Sequence, residues 1–410
     1  MLNSNNQNRI VFLFDQSSKD IDSNLALEIK ELSSRKIPLS IFCINRNDNI
    51  FNENHLQELN GSVFCPNWKT TVSSIWSFIF LLITKLHVII TCFFVLAKDN
   101  YKNLPFMIKF LSKFLRIAWI ARKICKYPKV VIHVQGSYFA IQTAWLISRL
   151  TKKPYLITLE SEILVKKNGK IMCAISEAKG LLTRTKSSKQ LLMNSYGKLE
   201  IPIWPHYQSI ILNGNTPEEA KKDDQFRIIV FCSNEPIEGF NALLDAFNVL
   251  AERNIIFQCE FIGDGLTFDR FKYLVYDKSL EHMVTFHDEL SEKEMLEWMN
   301  ISSVLVIPSS LVKDPHNGCI PSWVLQAMAL ELPIIAFNEG IIKEIIKDFV
   351  SGILVEPGDS LSLVSAIQTL YYHPEIRKQF GIRAKQLIYS RYNLTTNINI
   401  LEEIYRTVGE

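Results

Sequence analysis

Short apolar runs alternate with amphipathic helix patterns along the chain, and they do so in two successive halves. In the first half, RIVFLF (9–14) precedes a helix pattern near 21–32, and VVIHV (130–134) precedes another near 139–150. The second half opens with RIIVFCS and continues with a helix pattern over 241–253. Strands that each lead into a helix predict parallel sheets. We therefore expect an α/β protein with two doubly wound, Rossmann-like domains that face one another across a ligand cleft.

The polar stretch PEEAKKDDQ, which follows Asn213-Gly214-Asn215, separates the two alternations. We expect domains over 1–205 and 206–385, with a last helix over 386–410 that crosses back to the first domain. The chain has 410 residues, of which 48% are hydrophobic, so it is long and apolar enough to bury two cores and is not expected to be disordered.

Several enzyme classes lack their motifs. No GxGxxG follows either opening strand, and GxxxxGK[ST], HExxH and GxSxG are absent, which argues against nicotinamide, P-loop, zincin and serine hydrolase chemistry. The eight cysteines form no CxxC pair, so neither a zinc site nor a disulfide framework is expected. The polar N-terminus is not a signal peptide pattern. The sequence thus predicts a cytoplasmic protein without a cofactor.

Basic residues are concentrated in one window. Between Glu58 and Glu160 the only acid is Asp99 among fourteen lysines and arginines, so this window carries a net charge of +13. Aromatic residues such as Phe110 and Trp119 are interleaved, which favours an anionic membrane surface over nucleic acid. A solvated basic face is the alternative. The candidate membrane residues are Lys109, Lys113, Arg116, Arg122 and Lys123.

A nearly continuous apolar run of 23 residues extends from Ile75 to Ala97. Its length would span a bilayer, but Lys85 and His87 lie at its centre, where charge is costly. We therefore expect an amphipathic or buried helical hairpin at the membrane face, with a transmembrane span as the alternative.

The second half contains FIGDG (261–265), VIPSS (306–310), IPSWVLQAMALELPIIAF (320–337) and EIIKDFVSGILVEPGD (344–359). With these segments it resembles the nucleotide-sugar domain of glycosyltransferase family 4, which has the GT-B architecture. The first half is similar, more loosely, to the branch that makes exopolysaccharides and other surface glycans, through SNLALEIKELSSRKIPLSIF and VIHVQGS. The resemblance implies an N-terminal domain that binds acceptor and membrane, and a C-terminal domain that binds a nucleoside diphosphate sugar.

The resemblance also implies a donor site that departs from the family pattern. The family's two glutamates, one on the sugar and one on the ribose, correspond to Gly318 and Gln326. The family's arginine and lysine on the diphosphate correspond to Ser233 and Glu238. Lys313 is the nearest base that would replace them, and a surface lysine is the alternative. Other candidate donor contacts are the turn glycines Gly263 and Gly265, then Ser309, and Ile320 and Pro321 before a helix N-terminus.

In the first half, the family's catalytic histidine falls on Glu160, and His133 occupies the first position of an HxH-like pair. His133 is equally well explained as a hydrogen-bonded histidine at a strand end. Two functions stay open. One is a retaining glycosyltransferase that moves a hexose to a lipid-linked or glycan acceptor on the cytoplasmic membrane face. The other is an inactive GT-B subunit that binds acceptor or stabilises a partner transferase.

Overall fold

The computed structural model describes residues 8–14, 23–44, 63–64, 75–80, 83–85, 87, 104–159, 169–197, 199–210, 225–232, 237–263, 265–288, 290–308 and 320–410. These described residues divide into two compact units. Unit 1 contains the chain up to Ser209 and again from Leu394 to the C-terminus, and unit 2 contains the described residues between Ile210 and Asn393.

Unit 1 is built on a parallel sheet of seven strands. Its elements are β1 (Arg9–Phe14), α1 (Ser23–Ser34), β2 (Leu39–Cys43), β3 (Val63–Phe64), α2 (Leu104–Ile124), β4 (Val130–Gln135), α3 (Tyr138–Thr151), β5 (Tyr155–Leu159), α4 (Gly169–Ser176), β6 (Gly180–Thr183), α5 (Lys186–Tyr196), β7 (Ile203–Pro205) and a C-terminal helix (Leu394–Gly409). The strand order is β3-β2-β1-β4-β5-β6-β7.

The two faces of this sheet are buried under different helices, as the alternation of side chains along a strand requires. Val11 and Leu13 of β1 pack in a core with α2, α3 and α4. Ile10 and Phe12 face the other way, into a core with α1 and with Leu401 of the C-terminal helix. The C-terminal helix therefore supplies one face of the core of unit 1.

Unit 2 is built on a parallel sheet of six strands. Its elements are β8 (Arg227–Cys232), α6 (Ile237–Glu252), β9 (Gln258–Gly263), α7 (Gly265–Asp277), β10 (Val284–His287), α8 (Glu292–Ile301), β11 (Val304–Ile307), α9 (Ser322–Ala329), β12 (Ile334–Phe337), α10 (Ile342–Ile345), β13 (Ile353–Val355), α11 (Ser360–Tyr372), α12 (Pro374–Arg391).

The strand order of unit 2 is β10-β9-β8-β11-β12-β13. The chain builds outward from β8 in one direction and then returns to build outward from β11 in the other, which is the doubly wound pattern. Local sequence defines the helix starts: Ser291 and Glu294 form a capping box at α8, and the Asp359 side chain accepts from the Ser362 amide at α11. The predicted class, an α/β fold with two parallel sheets, is confirmed.

Candidate functional site

The carboxyl ends of β8 and β11 form the switch point of unit 2. Connections leave these neighbouring strands toward opposite sides of the sheet, and a crevice forms between them in such folds. The helices that follow the parallel strands begin at this edge, so the positive ends of their dipoles lie there. Such an edge favours an anionic ligand.

Two glycines make close backbone contacts at this edge. A Cβ on Gly239, in the first turn of α6, would lie 1.7 Å from the carbonyl oxygen of Pro308, which directly follows β11. A Cβ on Gly263, the last residue of β9, would lie 1.9 Å from the carbonyl oxygen of Cys232. Glycine is therefore required at both positions for this packing. Gly265, the other predicted turn glycine, begins α7.

Helix α9 begins at the same edge without a side-chain cap. Pro321 occupies its N-cap position and makes no side-chain hydrogen bond, so the first-turn amides are left to other partners. Ile320, just before it, is buried, and the Trp323 ring packs against Phe231 of β8 with centroids 4.8 Å apart. These apolar contacts fix the start of α9 beside the switch point.

Gln326 lies on α9, where the family pattern has a glutamate. Its Nε2 donates to Oε1 of Glu292, the first residue of α8, at 2.8 Å. Its Oε1 is buried and has no hydrogen-bond partner. A carboxylate can only accept hydrogen bonds, so the Glu292 contact fixes which end of the Gln326 amide carries the nitrogen. The amide oxygen is therefore the end that is left buried without a partner.

Only some of the predicted site residues belong to the described part of the chain. Glu160, Ser233, Ser309, Lys313 and Gly318 lie outside the described residues. Glu238 is the second residue of α6, at the switch-point edge. Gly239, which the sequence analysis does not single out, marks this edge most clearly through its close approach to the Pro308 carbonyl.

The candidate membrane residues all lie on α2. Lys109 and Lys113 are in its first half, and Arg122 and Lys123 are in its last turn. Arg122 is exposed, whereas a guanidinium nitrogen of Arg116 donates to the Ile44 carbonyl at 3.3 Å. Most of the 75–97 run lies outside the described residues. Within the described part of the chain, we find no helix whose length and apolar character suffice to cross a bilayer.

In unit 1, His133 is fully buried on β4. Its Nδ1 lies 2.6 Å from the Tyr405 hydroxyl and its Nε2 lies 2.7 Å from the Thr158 hydroxyl. Burial lowers the pKa of His133 to about 3, which Glu28 opposes only in part, so the imidazole is neutral. These contacts favour the structural interpretation of His133, because both ring nitrogens are occupied and neither reaches solvent.

Sequence reasoning missed a buried ionic cluster at the carboxyl edge of the unit 1 sheet. Oε1 of Glu28, on α1, accepts from Arg184 at 2.6 Å and contacts Nε2 of His206 at 3.0 Å. Burial raises the pKa of the Glu28 carboxyl, but Arg184 and His206 outweigh it and hold the pKa well below its ordinary value. Arg184 and His206 directly follow β6 and β7. The sequence feature that could have indicated this cluster is a basic residue directly after a buried strand, as Arg184 follows β6.

A surface cavity of unit 2 lies at the opposite edge of its sheet. It is lined by Phe226, Ser303 and Pro333, which precede β8, β11 and β12, and by Tyr371 and Arg377. Because parallel α/β sheets bind ligands at their carboxyl ends, we assign the candidate site to the switch point and not to this cavity.

Part of the chain is similar in sequence to known glycosyltransferases. Residues 214–387 match the family of group 1 glycosyl transferases. An uncharacterized glycosyltransferase of Methanocaldococcus jannaschii is 25% identical over 305 residues, which are 70% of this chain and 81% of that protein. Human alpha-1,3/1,6-mannosyltransferase ALG2 is 28% identical over 142 residues, 34% of this chain and 32% of that protein.

Solved structures are similar over nearly the whole chain. A glycosyltransferase from Rickettsia africae superposes with a TM-score of 0.68 at 16% identity, covering 98% of this chain and 99% of that chain. Anabaena Alr3699/HepE in complex with UDP has a TM-score of 0.68 at 16% identity, covering 97% of this chain and all of that chain. The protein therefore has the GT-B fold, and residues 214–387 match the family model of group 1 glycosyl transferases.

Proposed function

We propose that this protein is a glycosyltransferase that moves a sugar from a nucleoside diphosphate sugar to a lipid-linked or glycan acceptor in surface polysaccharide synthesis. The observation that carries the proposal is the switch point of unit 2, where Gly239 at the start of α6 touches the Pro308 carbonyl at the end of β11. Helix N-termini at this edge suit a diphosphate. The similar Anabaena protein was solved with UDP and with UDP-glucose.

The donor would lie along the carboxyl edge of the unit 2 sheet. Gly263 and Gly265 would let the diphosphate approach the backbone closely, and the start of α9 after Ile320 and Pro321 would face its charge. Ser309 and Gly318 lie outside the described residues, and we propose both as further donor contacts. Gln326 would hydrogen-bond a ribose hydroxyl, since its buried Oε1 is an acceptor that has no partner.

The diphosphate charge needs a base that the family pattern no longer supplies. Ser233 and Glu238 replace the family's two cations, and each charge-assisted hydrogen bond contributes about 1.5–3 kcal/mol. We propose that Lys313 offsets this charge. A retaining hexose transfer, as in glycosyltransferase family 4, is the reaction that we assign to the site.

We propose that unit 1 binds the acceptor. Its basic window of net charge +13 would hold the protein on the anionic, cytoplasmic face of a membrane, as a peripheral protein beside a lipid-linked acceptor. Arg122 is exposed in the last turn of α2 and can meet lipid phosphates directly. A partner transferase in the same assembly would share this surface.

Calorimetric titration with UDP, UDP-glucose and other nucleoside diphosphate sugars tests the proposal. We expect binding that Gln326→Ala weakens by about tenfold, the equivalent of one hydrogen bond of 1.4 kcal/mol. Gln368→Ala is the matched control, because Gln368 lies on α11 and contacts Arg253 instead. A folded protein that binds no nucleotide sugar would overturn the transferase proposal in favour of an inactive acceptor-binding subunit.

A further inference from the structure

Five large apolar side chains are exposed within nine residues of unit 1. Residues 75–80 form a short helix, and the described segment resumes at 83. Trp76 is 65% exposed, Phe80 51% and Ile83 79%. The set, called the apolar face here, comprises Ile75, Trp76, Ile79, Phe80 and Ile83. Elsewhere in the described chain, large exposed apolar side chains are scattered, so this cluster requires an explanation.

The opposite side of the short helix is anchored to the core of unit 1. Ser77 is buried, and the Phe78 ring packs edge-on against Phe114 of α2 with centroids 5.7 Å apart. The helix therefore has an inner side fixed on α2 and an outer side of exposed tryptophan, phenylalanine and isoleucine. This is the pattern of a helix that lies in an interface between water and an apolar phase.

Basic side chains border the apolar face. The Arg122 guanidinium lies 5.3 Å from the centre of the Phe80 ring, and Lys123 follows it in the last turn of α2. Lys126 is exposed one turn further on. The surrounding sequence window contains a single acid, Asp99, between Glu58 and Glu160. An apolar centre with a basic rim is complementary to a bilayer that carries anionic headgroups.

We propose that the apolar face inserts into the interfacial layer of an anionic bilayer, with Trp76 and Phe80 among the acyl chains and Arg122 at the phosphates. The inference rests on the membrane part of the proposed function and deepens it. It predicts that two separable contributions hold the protein on the membrane. The basic rim contributes attraction that salt screens, whereas the apolar face contributes binding that persists at high salt. A second copy of this chain would bring the same basic rim against itself, so charge favours the bilayer as occupant.

Vesicle sedimentation of the full chain tests the electrostatic and the apolar contribution to membrane binding. The vesicles consist of phosphatidylcholine with or without phosphatidylserine, and binding is measured at low and at high salt. We expect Trp76→Ser/Phe80→Ser to weaken binding to the anionic vesicles at least tenfold at both salt concentrations. Arg122→Gln/Lys123→Gln should weaken it at low salt only. The matched control is Tyr273→Ser/Tyr276→Ser, which removes two aromatic side chains of α7 that are 69% and 70% exposed.

Fluorescence of the unaltered protein gives a second readout. Lipids brominated on their acyl chains should quench part of the tryptophan emission of the wild type, and Trp76→Phe should lose that quenched part. Equal quenching in Trp76→Phe, or equal vesicle binding in Trp76→Ser/Phe80→Ser, would overturn the proposal. So would a concentration-dependent dimer that the double substitution converts to monomer, because the apolar face would then be a protein interface.

Nucleotide titration in solution separates this inference from the donor proposal. The Trp76→Ser/Phe80→Ser protein should bind nucleotide sugars as the wild type does, because the altered residues belong to unit 1 and the candidate donor site to unit 2. A wild-type protein that binds vesicles through Trp76 but binds no nucleotide sugar would overturn the donor proposal and support the insertion.

Discussion

Nδ1 of His133 lies 2.6 Å from the hydroxyl of Tyr405, although 272 residues separate the two along the chain. His133 is on β4, in the middle of the unit 1 sheet, and Tyr405 is on the C-terminal helix. Nε2 of the same imidazole meets the Thr158 hydroxyl of β5. One buried side chain thus links two neighbouring strands to the helix that closes the core of unit 1.

Tyr405→Phe should destabilise unit 1 although it preserves the ring and its packing. The substitution leaves a buried imidazole nitrogen without a partner, which costs about 1–3 kcal/mol. Chemical denaturation followed by circular dichroism measures the effect. Tyr389→Phe is the control, since Tyr389 is 46% exposed on α12 and its change should stay within about 0.5 kcal/mol. Equal stability of Tyr405→Phe and wild type would contradict the role assigned to this contact.

Unit 1 should lose stability as the pH falls below the ordinary pKa of histidine. The pKa of His133 is about 3 in the folded protein and 6.5 in an unperturbed histidine, so between these values the unfolded state binds one proton more. The free energy of unfolding should therefore fall by about 1.4 kcal/mol per pH unit from this residue alone. Denaturation midpoints measured from pH 7 to pH 5 would reveal the slope.

Replacing His133 isolates its share of that slope. His133→Asn should be less stable at pH 7, because it loses the paired contacts with Tyr405 and Thr158, yet its stability should depend less steeply on pH. His282→Asn is the control, since His282 is an exposed residue of unit 2 and its replacement leaves the His133 contacts in unit 1 intact. Identical slopes for wild type and His133→Asn would show that another group titrates.

The fold followed from local patterns, whereas the buried polar contacts did not. The alternation of strands and helices indicated β4 and α3, and Ser137 caps α3 by accepting from the Ala140 amide. No local pattern indicates that His133 finds Tyr405, because such pairs depend on how distant segments pack. The sequence therefore supports the catalytic and the structural interpretation of His133 equally, whereas its two buried partners favour the structural one.

The same limit applies to the donor edge. Gly239 stands out only when the Pro308 carbonyl is seen beside it, since glycines also occur in ordinary turns. The sequence predicted Gly263 as a turn glycine but did not indicate its close approach to the Cys232 carbonyl. The sequence placed Gln326 correctly on a helix but gave no indication of its Glu292 partner, 34 residues away. Side-chain partners across helices depend on packing angles that periodicity leaves open.

Glu28→Gln should destabilise unit 1 strongly. Glu28 is fully buried, and removal of its charge leaves the Arg184 guanidinium buried at 5% exposure without its anion, which costs about 3–5 kcal/mol in buried pairs. Glu31→Gln is a control on the same helix, because the Glu31–Arg35 pair is partly exposed and contributes at most about 1 kcal/mol. Thermal unfolding of both variants at pH 7 distinguishes them, and similar midpoints would contradict a buried ionic role for Glu28.

Gly239→Ala should disturb the donor edge directly. The added Cβ would overlap the Pro308 carbonyl, so the start of α6 must move away from the end of β11. We expect nucleotide-sugar affinity to fall by about tenfold or more, the equivalent of one lost hydrogen bond. Gly358→Ala is the control: its φ of 79° makes alanine strained there, but a Cβ meets nothing within 4 Å. That variant should lose stability and keep its affinity, and a matching affinity loss in both would argue against a local effect.

The two cations that bind the donor diphosphate in the family correspond to Ser233 and Glu238 here, and Lys313 is the base that we propose in their place. If Lys313 offsets the diphosphate, Lys313→Ala should lower kcat/KM by about tenfold or more, the loss of one charge-assisted contact. Restoring the family pattern with Ser233→Arg and Glu238→Lys should then gain little, because a base already faces the phosphates. In a degenerate site the same pair should instead create nucleotide affinity that the wild type lacks. Calorimetry on the wild type, Lys313→Ala and the restored pair separates the two cases. A wild type without nucleotide affinity, together with unchanged cellular glycan output in Lys313→Ala, would refute the transferase assignment.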